Sequence, residues 1–441
     1  MIDRPGGRKV GERRLEQVGR SPAPDPRMNA RPPHGTPHLL LTGATGLLGS
    51  YLLRDLLLAG RPVAVIARRE RKRSAAERVE AVVDDWEQRH GVRLPRPQVL
   101  DGDLTRPACG LDAAAVRWVG DHCRELIHNA ASLSFKGTSR DEEPWVTNVG
   151  GTAHVLELAA RAGLRRLHQV STAYVCGLRA DVVAEADLDV GQEFGNDYER
   201  SKAEAERMVR AAPHLDSVTV YRPSIIVGDT VTGYTSTYHG FFAALRLGHT
   251  LLTRVPLGAT SGLALLALMG VDPAARKNFV PVDWVARVIA TLVGRPESHG
   301  RTFHVTHPEP LATGTVAATI QEAVETYSRA AAADDPDRRD ERWFADNLQN
   351  ELEVYQRYFR HDPTFDRANL LAHAGDLPCP ALDRPTLLRM ARFAIEHEFG
   401  RRPAARSGGP VAMRLHPAAP GVVRENEEGC SRSAALEART V

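Results

Sequence analysis

The stretch "PHLLLTGATGLLGSYLLRDLLLAG", residues 37–60, begins with an apolar run that reads as a buried strand and ends on an apolar helical pattern over 47–59. Between them lie Gly43, Gly46 and Gly49, two residues apart. Where a buried strand turns sharply into a helix, residues without a Cβ let backbone N–H groups approach a pyrophosphate at the positive helix end. The spacing is G-x-x-G-x-x-G rather than G-x-G-x-x-G, but the strand before and the helix after are both present. The turn, with Thr45 and Leu47 inside it, is therefore predicted to hold a dinucleotide.

Working outward, strand and helix alternate. "PVAVIAR" (62–68), "PQVLDGD" (97–103), "ELIHNA" (125–130), "LRRLHQVS" (164–171) and "SVTVYRPS" (217–224) read as short apolar strands, with helical stretches at 74–90, 148–162 and 198–212 between them. That rhythm predicts a doubly wound α/β fold, a parallel sheet covered on both faces, over residues 37–230. Beyond 230 the rhythm weakens. Return strands are expected at "NFVPV" and "RTFHVT" within about 278–310, and a smaller, mainly helical substrate cap over 231–277 and 311–400, with amphipathic helices at 343–360 and 384–398. Residues 1–36 and 401–441 are rich in Arg, Pro and Gly and are expected to be disordered, with Met28 an alternative start to Met1.

Composition excludes several classes. The 441 residues carry 57 basic and 55 acidic side chains, a net charge of +2 that calls for neither nucleic acid nor an anionic membrane. Five cysteines without a C-x-x-C pair argue against a disulfide framework or structural zinc, so no metal is expected, and a reducing cytoplasm fits. No apolar run reaches the ~18 residues of a membrane span.

The end of the second strand bears on which dinucleotide binds. A carboxylate there would accept from the adenosine ribose, whereas Arg68 and Arg69 stand there, and arginine pairs bidentately with a 2′-phosphate. NADP(H) is thus preferred over NAD(H), against the reading of an ordinary solvated charge run. Asp103, followed by Leu104, ends the third strand, either accepting from the adenine amino group or closing a turn. In "GNDYERSKAEAERMV", Tyr198 and Lys202 share one helical face. Of nine tyrosines, only Tyr198 has a lysine four residues on. A phenol with a pKa of about 10 needs an adjacent cation to act as proton donor near neutrality. Lys202 is expected to supply that charge. Thr172 in "HQVSTAYVCG" follows the fifth strand, where its hydroxyl would meet the reacting carbonyl oxygen, with Ser171 the competing choice.

The ordered set "TGATGLLG", "HNAASLSF", "NVGGT", "STAYVCG", "YERSK" and "YRPSIIVGD" resembles the extended short-chain dehydrogenase/reductase superfamily. More narrowly, residues 37 to about 310 resemble its thioester reductase and fatty acyl-CoA reductase branch, the male-sterility-type NAD-binding domains. The resemblance implies a Rossmann-type fold, a catalytic triad at Thr172, Tyr198 and Lys202, and cofactor contacts from Asn129, Ala130, Ala131, Arg222, Pro223 and Ser224 beside those above. Asn148 is implied as a helix and water relay, or equally a helix cap. The implied reaction is NADPH-dependent reduction of an acyl thioester, carried on coenzyme A or on an acyl or peptidyl carrier protein, to an aldehyde and on to an alcohol if a second hydride is delivered. Unlike many members, the chain shows no recognisable carrier domain. Ser132, Tyr234, Tyr238 and His239 are candidate substrate contacts, and the apolar "HGFFAALRLGHTLLTRVPLGATSGLALLALMG" suits an acyl chain or else the cap's own core. A sugar-nucleotide epimerase, dehydratase or hydroxysteroid-type dehydrogenase shares the triad and is the alternative. Dehydratases of this fold place Asp-Glu after the threonine, whereas Ala173-Tyr174 stands here. A non-catalytic NADP-binding regulator would be expected to lack Tyr198 or Lys202.

Overall fold

The computed structural model describes residues 36–135, 137, 139–254, 262–268, 270–328 and 360–401. The expected disordered ends, apart from Thr36 and Arg401, lie outside the described residues, as does the expected helix over 343–360 apart from Arg360, which is not helical.

The first half alternates as expected. It runs β1 (His38–Thr42), α1 (Leu47–Leu58), β2 (Val63–Ala67), α2 (Ala75–His90), β3 (Gln98–Asp101), α3 (Ala113–His122), β4 (Cys123–His128), α4 (Gly151–Ala162), β5 (Arg166–Val170), the short β6 (Val182–Val183), α5 (Asp197–Arg210) and β7 (Ser217–Pro223). The second half contains β8 (Ile225–Val227), α6 (Phe241–Arg254), α7 (Gly262–Leu268), β9 (Arg276–Lys277), β10 (Phe279–Pro281), α8 (Val282–Val293), β11 (Thr302–Val305), β12 (Leu311–Ala312) and α9 (Thr313–Tyr327). After the undescribed stretch come β13 (Thr364–Phe365), α10 (Ala368–Ala374) and α11 (Arg384–Glu396).

Seven strands form one parallel sheet in the order β11-β7-β5-β4-β1-β2-β3, the doubly wound Rossmann-type arrangement, with its reversal of direction between β1 and β4. Alternation along β1 shows why its run is continuously apolar. Leu39 and Leu41 pack with Leu52, Leu56 and Ile289 on one face, while Leu40 meets Val119, Val155 and Leu158 on the other. Of the two expected return strands, only β11 joins this sheet. β10 pairs with β8 instead, and the apolar α8 that follows it packs along α1. Among the described residues no helix is long and apolar enough to cross a membrane.

A buried ion pair ties α5 to the sheet. Glu206 accepts from Arg222 Nε at 3.1 Å and Nη2 at 2.7 Å, with both side chains fully buried. Ser171 donates to the same carboxylate at 2.7 Å, and Arg210 adds bonds at 2.8 and 3.0 Å. Arg222 was expected at the cofactor. It is turned instead to α5, where its guanidinium is buried in the bonds to Glu206. Removing one member of a buried pair leaves the other uncompensated, at about 3–5 kcal/mol. Glu206→Gln is therefore expected to lower unfolding free energy by about that amount in urea titration, while Arg210→Ala, at a partly exposed position, costs less than half as much.

Candidate active site

At the end of β1 the chain must reverse within the thickness of one backbone. Gly43 adopts φ +74°, and a Cβ there would stand 2.7 Å from the Ala130 nitrogen. A Cβ on Gly49 would lie 1.9 Å from the Gly43 carbonyl oxygen, so these two glycines let the turn pack on itself. Gly46 differs. A Cβ there would meet nothing closer than 3.5 Å within the protein, and Gly46 caps α1 without any side-chain hydrogen bond. The first-turn N–H groups of α1 have no intrahelical acceptors, which is the donor set an anionic pyrophosphate requires.

A relay of hydrogen bonds locks this turn to α5. The Asn129 and Ala130 N–H groups both donate to Thr42 Oγ1 at 3.2 Å, and that hydroxyl lies 2.9 Å from His128 Nδ1. On the other side, His128 Nε2 lies 3.2 Å from Thr152 Oγ1, whose proton goes to the Asn148 carbonyl at 2.6 Å. Thr152 must then accept from His128, which puts the imidazole proton on Nε2 and makes Nδ1 the acceptor from Thr42. The Asn148 side chain sits in a π-helical turn, Val146–Gly150, just before α4. Its amide donates to the Ser132 carbonyl at 3.1 Å and to Ser201 Oγ at 2.9 Å, and Ser201 donates to the Tyr198 carbonyl at 2.8 Å. Asn148 is thus a bracket between a loop and α5 rather than an N-cap.

The turn and α5 border one cavity of about 1030 Å³. Gly43, Thr45, Gly46, Leu47 and Gly49 line one end, with Arg68 and Leu104 beside them, and Asn129, Ala130 and Ala131 form a wall. Thr172, Tyr198, Lys202, Pro223, Ser224 and His239 line the other part. Six expected residues do not line it. Arg69 pairs with Asp101 at 2.8 Å in the open, and Asp103 accepts from Thr105 N and Oγ1 at 3.0 and 2.9 Å, which is the turn reading. Arg222 is spent on Glu206. The Ser132 backbone is held by Asn148. Tyr234 sits under Arg89 and against Phe393, and Tyr238 against Phe242 and Phe399.

Lys202, almost fully buried, donates to the Val170 carbonyl at 2.7 Å. Burial brings its pKa down to about 8, with the Glu206 charge opposing. Tyr198 departs from expectation. Burial pushes its phenol up to about 12, the Thr172 hydrogen bond pulls it down and the Glu199 charge raises it. The expected lowering by Lys202 does not appear in the free protein: burial dominates, and the ammonium donates to the Val170 carbonyl. Between the two candidate hydroxyls, Ser171 is committed to Glu206, whereas Thr172 touches Tyr198.

Several lining residues had no signal strong enough in the sequence. Arg78, on α2, donates to the Arg68 carbonyl at 2.5 Å and to Thr45 Oγ1 at 3.2 Å, so two arginines border the glycine end. Its spacing from Arg68 carries no pointer by itself, because only the packing of α2 brings Arg78 to Thr45. Tyr174, Glu199, Lys277 and Asp362 complete the far wall.

Known proteins with similar sequences and folds agree with this architecture. Residues 41–289 match the NAD-binding family described as male sterility protein. The chain is 28% identical over 286 residues to the nonribosomal peptide synthetase asaC of Aspergillus flavus, covering 62% of this chain and 26% of that protein. It is 32% identical over 288 residues to the isonitrile lipopeptide synthase of Streptomyces coeruleorubidus, covering 62% and 18%. The chain therefore spans only about a quarter or less of the length of these relatives. Among solved structures, the terminal R domain from the myxalamid PKS-NRPS biosynthetic pathway shares the fold with a TM-score of 0.61 at 23% identity, covering 84% of this chain and 93% of that one.

The relay makes a pH prediction. An unfolded histidine titrates near 6.5, whereas burial holds native His128 down to about 3, with the Lys202 charge adding to the effect. The native state favours the neutral ring, so stability present above about pH 6.5 is lost as the pH falls toward 3. Urea titrations at pH 7.5, 5.5 and 4.5 are expected to show that decline, and His128→Asn, though less stable at pH 7.5, to show a shallower one.

A glycine turn at the sheet's reversal point, a phenol and an ammonium one helical turn apart on the same cavity and a family match across more than half the sequence lead to one assignment: the chain belongs to the male sterility protein family of NAD-binding domains, in the extended short-chain dehydrogenase/reductase superfamily, and is an NAD(P)-dependent oxidoreductase.

Proposed function

We propose that this chain reduces an acyl thioester to an aldehyde with NADPH, using Thr172, Tyr198 and Lys202. The carrying observation is that these three side chains border the same cavity as the glycine turn, so a nucleotide seated on α1 and a substrate carbonyl at Tyr198 would meet. The choice of thioester is supported by relatives named as nonribosomal peptide and lipopeptide synthetases. Further support comes from solved structures named as reductase domains of such pathways, which share the fold.

Gly46 leaves room for the pyrophosphate, and the free first-turn donors of α1 would neutralise it. Arg68 and Arg78 would hold the 2′-phosphate that distinguishes NADPH from NADH. Bound there, the reduced nicotinamide supplies a hydride. Tyr198 and Thr172 would hold the thioester oxygen through their hydroxyl groups as charge builds on it, and Tyr198 would pass it a proton. Lys202, charged below about pH 8, would offset the negative charge left on the phenol. The hydroxyl on the tetrahedral carbon would then return its proton to Tyr198 as the C–S bond breaks, and the departing sulfur would take up a proton, giving aldehyde and free thiol on coenzyme A or a carrier protein. Delivery of a second hydride to the aldehyde would give the alcohol.

The deciding assay follows NADPH absorbance against acyl-CoA, acyl-carrier, aldehyde, ketosteroid and sugar-nucleotide substrates. Oxidation with a thioester and release of thiol are expected, and consumption with the ketosteroid alone would overturn the reading. Tyr198→Phe is expected to bind nucleotide as the parent does while kcat falls by about 10²–10⁴, and unchanged turnover would remove Tyr198 from this role. Arg68→Ala combined with Arg78→Ala is expected to raise the KM for NADPH by roughly tenfold or more while the KM for NADH changes little, a comparison made by steady-state kinetics with both cofactors.

A further inference from the structure

The cavity does not use every buried titratable group. Glu125 on β4, His168 on β5 and His299 in the loop before β11 come together away from it, and none of the three lines its wall. One ligand-capable atom from each lies within 4.8 Å of those of the other two. Strand register accounts for the first pair. Glu125 stands opposite Arg166, so His168, two residues further along β5, shares its face of the sheet.

His168 is 1% exposed, and its Nε2 has no hydrogen-bond partner among the described residues. It stands 3.6 Å from Glu125 Oε2. That is too long for a hydrogen bond but close to the roughly 3.4 Å that separates neighbouring ligands on a tetrahedral ion with bonds of about 2.1 Å. Burial holds the His168 pKa below its ordinary value, with Glu125 opposing, so the ring is neutral near pH 7.

Both imidazoles are oriented from behind. His299 Nε2 lies 3.2 Å from the Val293 carbonyl, which can only accept, so Nε2 carries the proton and Nδ1 the lone pair. His168 Nδ1 lies 3.0 Å from the Tyr221 phenol, whose oxygen can take the Nδ1 proton and leave the Nε2 lone pair to a ligand. An oxygen acceptor on the far N–H is the usual support for a metal-ligating histidine. Glu125 is supported likewise, since Arg61 Nη2 donates to its Oε1 at 2.5 Å and leaves Oε2 beside His168. Arg166 Nε lies 3.7 Å from Oε2 on a half-exposed side chain, which can turn into water as a cation arrives. His299 is only half-buried and gives the way in.

We propose that Glu125, His168 and His299 bind one divalent ion of the Zn²⁺ type, with water at the fourth position, tying β4 and β5 to the loop that enters β11. Two imidazoles and a carboxylate suit Zn²⁺ or Co²⁺, whereas Mg²⁺ takes oxygen ligands and keeps its waters. The cysteine pattern argued against zinc, but this site needs no cysteine, and ligands so far apart in the chain leave no spacing to read.

The test titrates the chelator-treated full chain with ZnCl₂ alone, by calorimetry at pH 7.5. One ion per chain is expected to bind with a dissociation constant below about 50 µM and to raise the unfolding midpoint, while MgCl₂ gives no heat. Co²⁺ in its place is expected to show visible absorption of tetrahedral intensity, which a purely structural cluster would not produce. His299→Ala and Glu125→Gln are each expected to weaken Zn²⁺ binding at least about tenfold and to abolish the Co²⁺ band. Circular dichroism verifies the fold of both variants, and whichever folds decides the matter, His299 being the less buried position. The absence of a single site of that affinity in the parent, or binding unaltered in either folded variant, would place the ion on other side chains and overturn the assignment. Neither outcome touches the thioester reading.

Discussion

The hydrogen-bond relay from Thr42 through His128, Thr152, Asn148 and Ser201 to the Tyr198 carbonyl is the constraint on which the rest depends. It crosses from the strand that feeds the glycine turn to the helix that carries the phenol. Every donor in it has one acceptor, so the tautomer of His128 is dictated and the two halves of the cavity share one frame. A hydride donor and a proton donor must meet one carbon and one oxygen within a few tenths of an ångström. In the proposed reaction, the glycine turn and α5 would reach that tolerance only when fixed to each other.

A second frame lies beneath the first. Glu206 gathers Arg222, Arg210 and Ser171 at the carboxyl ends of β5 and β7. The pair adds less stability than its short contacts suggest, since both charges have left water. What it does for the site is assign work to neighbouring hydroxyls. Ser171 is occupied by the carboxylate, which leaves Thr172, one residue further and on the opposite side of the chain, to face Tyr198. The same burial that makes Lys202 titrate near 8 raises Tyr198 to about 12, so in this geometry desolvation rather than ion pairing dominates both groups.

The cavity has two chemically distinct ends. At the glycine end, Arg68 and Arg78 converge from β2 and α2. At the other, residues from β9 and from the chain after α9 bring Lys277 and Asp362 together, while Phe241, Phe242 and Leu245 of α6 close on α9 and α11. Among the described residues, the apolar side chains of the cap close on one another, and the Lys277–Asp362 pair borders the cavity beside Leu178 and Ile225.

The features legible in the sequence are those imposed by local geometry. A turn that packs on its own backbone admits no side chain at Gly43 or Gly49, and a phenol and an ammonium needed on one helical face must stand one turn apart, as Tyr198 and Lys202 do. The alternating apolar runs determined the parallel sheet for the same reason, since strands buried on both faces have no polar periodicity. Tertiary structure alone decided the fate of Arg222, because the parity of a strand says nothing about which side another helix will cover. It decided Arg78 and Asp362, whose partners lie 10 to 188 residues away. It also decided the apolar cap, for hydrophobicity records that a residue leaves water, not whether protein or ligand takes the water's place.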